Sequence, residues 1–232
     1  LSTDTGIDVS VEGMDHQVEN DLGPFAQWAG LNGIARLSVG GETICQHQAP
    51  YLTFGKVRVP MPSRAFTQAT PQGERTLQEA VGRALDGADR VVDLFSGAGT
   101  LGLPLAEVAT LHCLENDEGL LEALAHGVRH TQGIKKVTTS VRDLYRNPID
   151  HTDLTQFNAA IIDPPRAGAE QQVRQLAQGN LCEIAMVSCN PVTFARDANL
   201  LCAGGYTLKW VEVVDQFRWS PHIEIVAHFS KA

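Results

Sequence analysis

Four residues in this chain are of types, and at spacings, that can do chemistry together. Cys189 follows the apolar run Ile184–Val187 and Ser188, and Asn190-Pro191 comes straight after it. A strand should stop at Ser188, because proline cannot join a sheet ladder and the residue before it is pushed from helical geometry. A helix can start at Pro191, whose fixed φ suits a first turn. The thiol then sits at the carboxyl end of a parallel strand, where open α/β sheets bind ligands. As a thiolate it is a nucleophile; the plain alternative is a buried structural cysteine. Asp163 ends a second apolar run, Phe157–Ile162, and Pro164-Pro165-Arg166 stiffen the exit. Asp93 lies near the end of Val91–Phe95, and Glu115 ends Leu111–Glu115, 22 residues after Asp93. An acid ending the second strand of such a sheet can accept both hydroxyls of a ribose, the alternative being a helix cap or a solvated acid.

Between Asp93 and Glu115 runs Ser96-Gly97-Ala98-Gly99-Thr100, expected to lead into a helix through Leu103, Leu105 and Ala106. Such a turn lets backbone approach a ligand closely, near helix N–H groups. With Gly102, the spacing Gly97-x-Gly99-x-x-Gly102 matches the dinucleotide fingerprint and admits an NAD(P)-dependent oxidoreductase. Against it, Asp93-Leu94-Phe95 before the glycines suits an adenosylmethionine loop, whose ligand has no pyrophosphate. Asp143, after a third strand Val137–Val141, either bonds an adenine amino group or caps the next turn.

These residues need a strand–turn–helix framework, and the pattern supplies one from Arg90 onward. A helix is expected over about 169–177, a fifth strand over 181–188 and a helix over 191–201 stopped by Gly204-Gly205. Two last strands, 207–215 and 222–229, are joined closely enough to be antiparallel neighbours. Upstream, Gln72–Leu85 reads as a helix with Leu77, Ala80, Val81 and Ala84 on one face. Residues 1–66 read as a small β-rich attachment: strands at Ile7–Val11, Ile34–Val39 and Glu42–Cys45, a Gly40-Gly41 hairpin, and a helical pattern over Asn20–Ala29. The expected architecture is α/β, a Rossmann-like and mostly parallel sheet over 67–232 with an antiparallel last strand, plus that attachment.

The 232 residues carry a formal charge of −9, which argues against a generic nucleic-acid coat while leaving room for a local basic groove. Five cysteines without CxxC spacing read as reduced thiols of a cytoplasmic protein, and no metal site is expected. No apolar run is long enough to span a membrane, and without a basic-then-apolar opening no signal peptide is expected. The start at Leu1 reads as that of a fragment.

Taken in order, Gln68, the Asp93–Gly99 loop, Glu115, Asp163-Pro164-Pro165-Arg166, Ser188-Cys189-Asn190-Pro191 and Pro221-His222-Ile223-Glu224 resemble the RNA (uracil-5-)-methyltransferase family, which modifies 23S ribosomal and transfer RNA. The resemblance runs from about Phe66 to the end. It implies a class I methyltransferase sheet and S-adenosylmethionine as methyl donor. Gln68, Phe95, Gly97, Thr100, Glu115, Asp143 and Asp163 would line the donor site, Cys189 would add to C6 of a uracil, and Glu224 would remove the C5 proton. It implies RNA as partner, 23S ribosomal RNA first and transfer RNA second, acted on by a monomer. The chain departs from the family at Gln68-Ala69-Thr70 (often Gln-x-Asn), Ser96 (often Cys), Thr100 (Asn in some) and Gln216–Ser220 before the final motif. An oligonucleotide-binding domain or a four-cysteine iron–sulfur site, which other members carry N-terminally, is not visible here. A non-catalytic RNA-binding module on the same fold remains a third reading.

Overall fold

The computed structural model describes residues 1–13, 22–217 and 219–231. Strands β1 (Ser2–Thr3), β2 (Gly6–Val11), β3 (Ile34–Val39) and β4 (Glu42–Gln46) form one sheet in that order, with helix α1 (Gly23–Leu31) packed on it. Strands β5 (Tyr51–Phe54) and β6 (Val57–Pro60) form a separate hairpin. Phe54, Val57, Val59 and Met61 of that hairpin share a core with Leu77 and Val81 of α2 (Pro71–Ala84). Asn20 and Asp21 of the expected helix lie outside the described residues.

The central sheet has seven strands. In chain order they are β7 (Arg90–Leu94), β8 (Thr110–Glu115), β9 (Val137–Val141), β10 (Ala159–Ile162), β11 (Glu183–Ser188), β12 (Thr207–Val214) and β13 (Glu224–Ser230). Their order across the sheet is β12-β13-β11-β10-β7-β8-β9. Strands β9, β8, β7, β10 and β11 pair in parallel, while β13 runs antiparallel to both neighbours. Helices cover both faces, which is why the central strands are apolar on both sides. Val91, Ile161, Ala185 and Val187 pack toward α2 and α3 (Glu118–Arg129). Val92, Ile162, Ile184 and Met186 pack toward α4 (Glu170–Gln178) and α5 (Pro191–Ala203). The expected mostly parallel sheet with an antiparallel last strand is present.

Caps fix where helices start. Thr70 accepts the Gly73 N–H at 3.0 Å, Asp117 that of Leu120 at 3.1 Å and Asn190 that of Val192 at 3.0 Å, with proline at the first position of α2 and α5. The expected helix after the glycine loop is a correction. Only a 3₁₀ turn, Leu103–Leu105, forms there. Pro104 cannot donate to an α-helical ladder, and Gly102 packs against the Asp93 side chain, where a Cβ would lie 2.3 Å from Oδ2. No α-helix N-terminus therefore follows this loop.

Candidate active site

The carboxyl ends of the parallel strands, with the start of β13, open onto a cavity of about 530 Å³. It is lined by Gln68, Phe95, Gly97, Thr100, Glu115, Asp143, Asp163, Cys189 and Glu224, so the residues expected at the donor site and the two expected to do the chemistry share one space. That size falls within the range of small-molecule sites.

Sheet register sets the most telling pair. Ser188, the last residue of β11, pairs with Ile225 of the antiparallel β13, so Cys189 and Glu224 follow that pair at the same end of two adjacent strands, and both line the cavity. Cross-strand partners share a face. Cys189 is half-buried and Glu224 is 6% exposed. The loop after β10 is tied to the cysteine turn: Asn190 Nδ2 and Thr193 Oγ1 both donate to the Arg166 carbonyl, at 3.1 and 3.3 Å. Asp197, buried on α5, accepts the Ala169 N–H at 3.0 Å and pairs with Arg196 at 2.8 Å. Gly168 makes this junction close. Its φ is +72°, and a Cβ there would meet Arg196 at 2.5 Å and Asp197 at 2.7 Å. Gly168→Ala is expected to cost about 2 kcal/mol through backbone strain and the displaced ion pair. A thermal melt checks this, and an unchanged midpoint would show that the junction yields freely.

On the other side, Phe95 is held at φ +63°, a conformation rare for a bulky residue and a form of strain that gathers at functional sites. Its ring lies 5.5 Å from that of Tyr145. Glu115 accepts from the Asn116, Asp117 and Gly97 N–H groups at 2.7, 3.0 and 3.0 Å. Its carboxylate is thus fixed at the cavity wall, and the helix cap is Asp117 instead. Asp143 accepts from the Tyr145 and Arg146 N–H groups at 3.0 and 3.2 Å, so it caps a turn while lining the cavity.

Crowded, buried carboxylates dominate the electrostatics. Asp93 is pushed up to about 8, by burial first and then by the charges of Asp163 and Glu115, with the Gly102 N–H opposing. Asp163 rises to about 7 through burial and the nearby Glu224, and Glu224 to about 7 through burial. Burial, followed by Glu224 and Asp163, also raises the Cys189 thiol, against weaker opposition from a backbone N–H and Arg166. Asp93 Oδ2 has no hydrogen-bond partner among the described residues. These acids would repel a diphosphate, and the missing helix N-terminus removes its usual cradle. A cation in the cavity relieves the same repulsion.

Tyr145 lines the cavity without having been singled out from the sequence, and Asp93, noted there as an acid near a strand end but given no part in the donor site, lines it as well. Asp93 carried a usable signal, since an acid inside an apolar strand is costly to bury without a purpose. Tyr145 carried none. Among the described residues no group of three or more His, Cys, Asp or Glu is placed to hold a metal ion, and no helix is long and apolar enough to cross a membrane.

The sequence model of the tRNA (Uracil-5-)-methyltransferase family matches residues 129–232. An uncharacterized RNA methyltransferase of Brucella suis is 42% identical over 99% of this chain and 55% of its own length. A 23S rRNA (uracil(1939)-C(5))-methyltransferase of Psychrobacter arcticus is 36% identical over 72% of this chain and 34% of its own. Among solved structures, the Pyrococcus abyssi tRNA (uracil-54, C5)-methyltransferase in complex with S-adenosyl-L-homocysteine superposes with a TM-score of 0.71. It is 25% identical and covers 84% of this chain and 50% of that one. The chain spans about half the length of the curated relatives it matches. With the strand-end cysteine, the acids around it and these matches together, the chain belongs to the RNA (uracil-5-)-methyltransferase family.

Proposed function

We propose that this protein transfers a methyl group from S-adenosylmethionine to C5 of a uridine in RNA, through a covalent bond between Cys189 and C6. One observation supports the reading: Cys189, just past the end of β11, and Glu224, at the start of the adjacent antiparallel β13, both line a cavity rich in acids. The 36% identity to a 23S rRNA enzyme makes ribosomal RNA the first substrate to try, with transfer RNA second.

The residues present fit the donor. Glu115, fixed by three backbone N–H groups, is placed to take ribose hydroxyls, and the Phe95 and Tyr145 rings offer faces to a purine. Gln68, Gly97, Thr100 and Asp143 complete this part of the wall, and the unpartnered Asp93 oxygen and Asp163 favour a positive charge. When bound, adenosylmethionine supplies an electrophilic methyl on a cationic sulfur.

The protein's own residues do the rest. Uracil C5 is too weak a nucleophile by itself. Cys189, its proton released to water, forms a C–S bond at C6, and the displaced π electrons become an enolate rich at C5. After C5 has gained its methyl group, Glu224 takes the C5 proton, the double bond re-forms, and the C–S pair returns to the thiolate. The target base must leave its stack to reach this cavity.

A pH experiment tests the electrostatic half of this reading. A carboxyl raised to about 7 or 8 in the folded protein holds a proton that the unfolded chain has lost above pH 4 to 5. Each such group lowers stability progressively as pH rises from there to about 8, with the penalty complete above its folded pKa. A sulfonium offsets the penalty and a neutral thioether does not. The affinity ratio of adenosylmethionine to adenosylhomocysteine is therefore expected to rise between pH 5.5 and 8, read by calorimetric titration. A flat or falling ratio removes the argument that these acids select a cation.

A further inference from the structure

The connection between β12 and β13 places a buried amide behind Gln68. Gln216 is 8% exposed, and its Nε2 donates to Gln68 Oε1 at 2.7 Å across 148 residues of sequence. Its own Oε1 has no partner among the described residues and packs against Gly73 in the first turn of α2. A Cβ on Gly73 would lie 2.3 Å from that oxygen and 2.9 Å from the amide carbon. Glycine is a poor helix former, and at this position it makes room for Gln216.

We infer that Gln216, seated on Gly73, is a positioning residue that fixes the amide of Gln68 with its oxygen turned away from the cavity and its NH₂ turned in. An amide whose oxygen is engaged has only donors left to offer. The ligand atom that Gln68 meets is therefore a hydrogen-bond acceptor, a carboxylate or carbonyl oxygen. It belongs to the amino-acid end of the methyl donor or to the carbonyl of the target base. This rests on the proposed reaction and adds a residue to it. It also links two ends of one connection, because the segment that begins with Gln216 delivers Glu224 eight residues later.

The test uses the full-length protein with Gln216→Ala, Gly73→Ala, Gln68→Ala and the Gln68→Ala/Gln216→Ala double variant. Adenosylhomocysteine affinity is read by calorimetry, kcat and KM with uridine-containing RNA, and folding by melting. Gln216→Ala and Gly73→Ala are each expected to weaken one ligand by about five- to tenfold, the scale of one hydrogen bond. A loss confined to adenosylhomocysteine identifies the acceptor as the donor's carboxylate. A raised RNA KM with adenosylhomocysteine affinity unchanged identifies it as the base carbonyl. In either case Gln216→Ala should add nothing on the Gln68→Ala background, whereas a loss of mere packing would add in full. Folded variants with wild-type values, or full additivity, overturn the inference while the proposed function stands. A wild-type protein that neither binds adenosylhomocysteine nor methylates RNA overturns the proposed function, and the inference with it.

Discussion

Cys189→Ala is expected to lower methyl transfer to RNA by about 10⁴-fold or more, the scale on which covalent catalysis fails when its nucleophile is removed. The same variant should form no adduct with 5-fluorouridine RNA, in which fluorine at C5 leaves no proton to abstract and traps the bond to sulfur. Stability should barely move. Cys189 is half-exposed at the tip of β11, outside the packed clusters on either face of the sheet, and its truncation opens no core cavity. Methyl transfer and melting measured together separate this from a structural cysteine, whose loss would lower the melting point and leave turnover in the remaining folded molecules. Retained turnover at an unchanged melting point would end the covalent mechanism.

Glu224→Gln is expected to do the reverse to the intermediate, causing a protein–RNA adduct to accumulate on ordinary RNA. The carboxylate of Glu224 raises both the Asp163 and the Cys189 pKa. A neutral amide removes that repulsion, so thiolate formation and addition are eased while removal of the C5 proton is lost. A denaturing gel should show a slow-migrating band in the variant and little in the wild type, with turnover lower by about 10²- to 10⁴-fold. Stability supplies an independent check. Glu224, at about 7 when folded against 4.5 ordinarily, imposes a penalty that grows above pH 4.5 and is complete beyond pH 7. The variant should therefore gain melting temperature over the wild type at pH 8 and little at pH 4.5. Full turnover without adduct would assign the proton to another group.

Much of this site was legible because strand ends are written locally. The apolar runs before Asp163 and Cys189, each closed by proline, were enough to place both residues at the carboxyl edge of a parallel sheet. Glu115 was legible for the same reason. What failed was periodicity read through a proline: Leu103, Leu105 and Ala106 looked helical, but Pro104 and the contact of Gly102 with Asp93 reduced the segment to one 3₁₀ turn. Helix α3 and the β5–β6 hairpin were passed over, the first despite a clear cap at Asp117. Gln68 had no local signature at all. Its orientation depends on a partner 148 residues away, and no window along the chain contains both.

The antiparallel placement of β13 has an outcome for how this enzyme class can diversify. Because β13 is clamped by backbone pairing on both flanks, its first residue, Glu224, keeps its place whatever chain arrives ahead of it. Of the described residues that lead into it, Gln216 is buried and held by Gln68 and Gly73, while Trp219, Pro221 and His222 are exposed and can change in character. Exchanging those three exposed residues for a relative's should thus alter how the proposed RNA substrate is met while Glu224 keeps its place, much as a tool accepts a new head on the same handle.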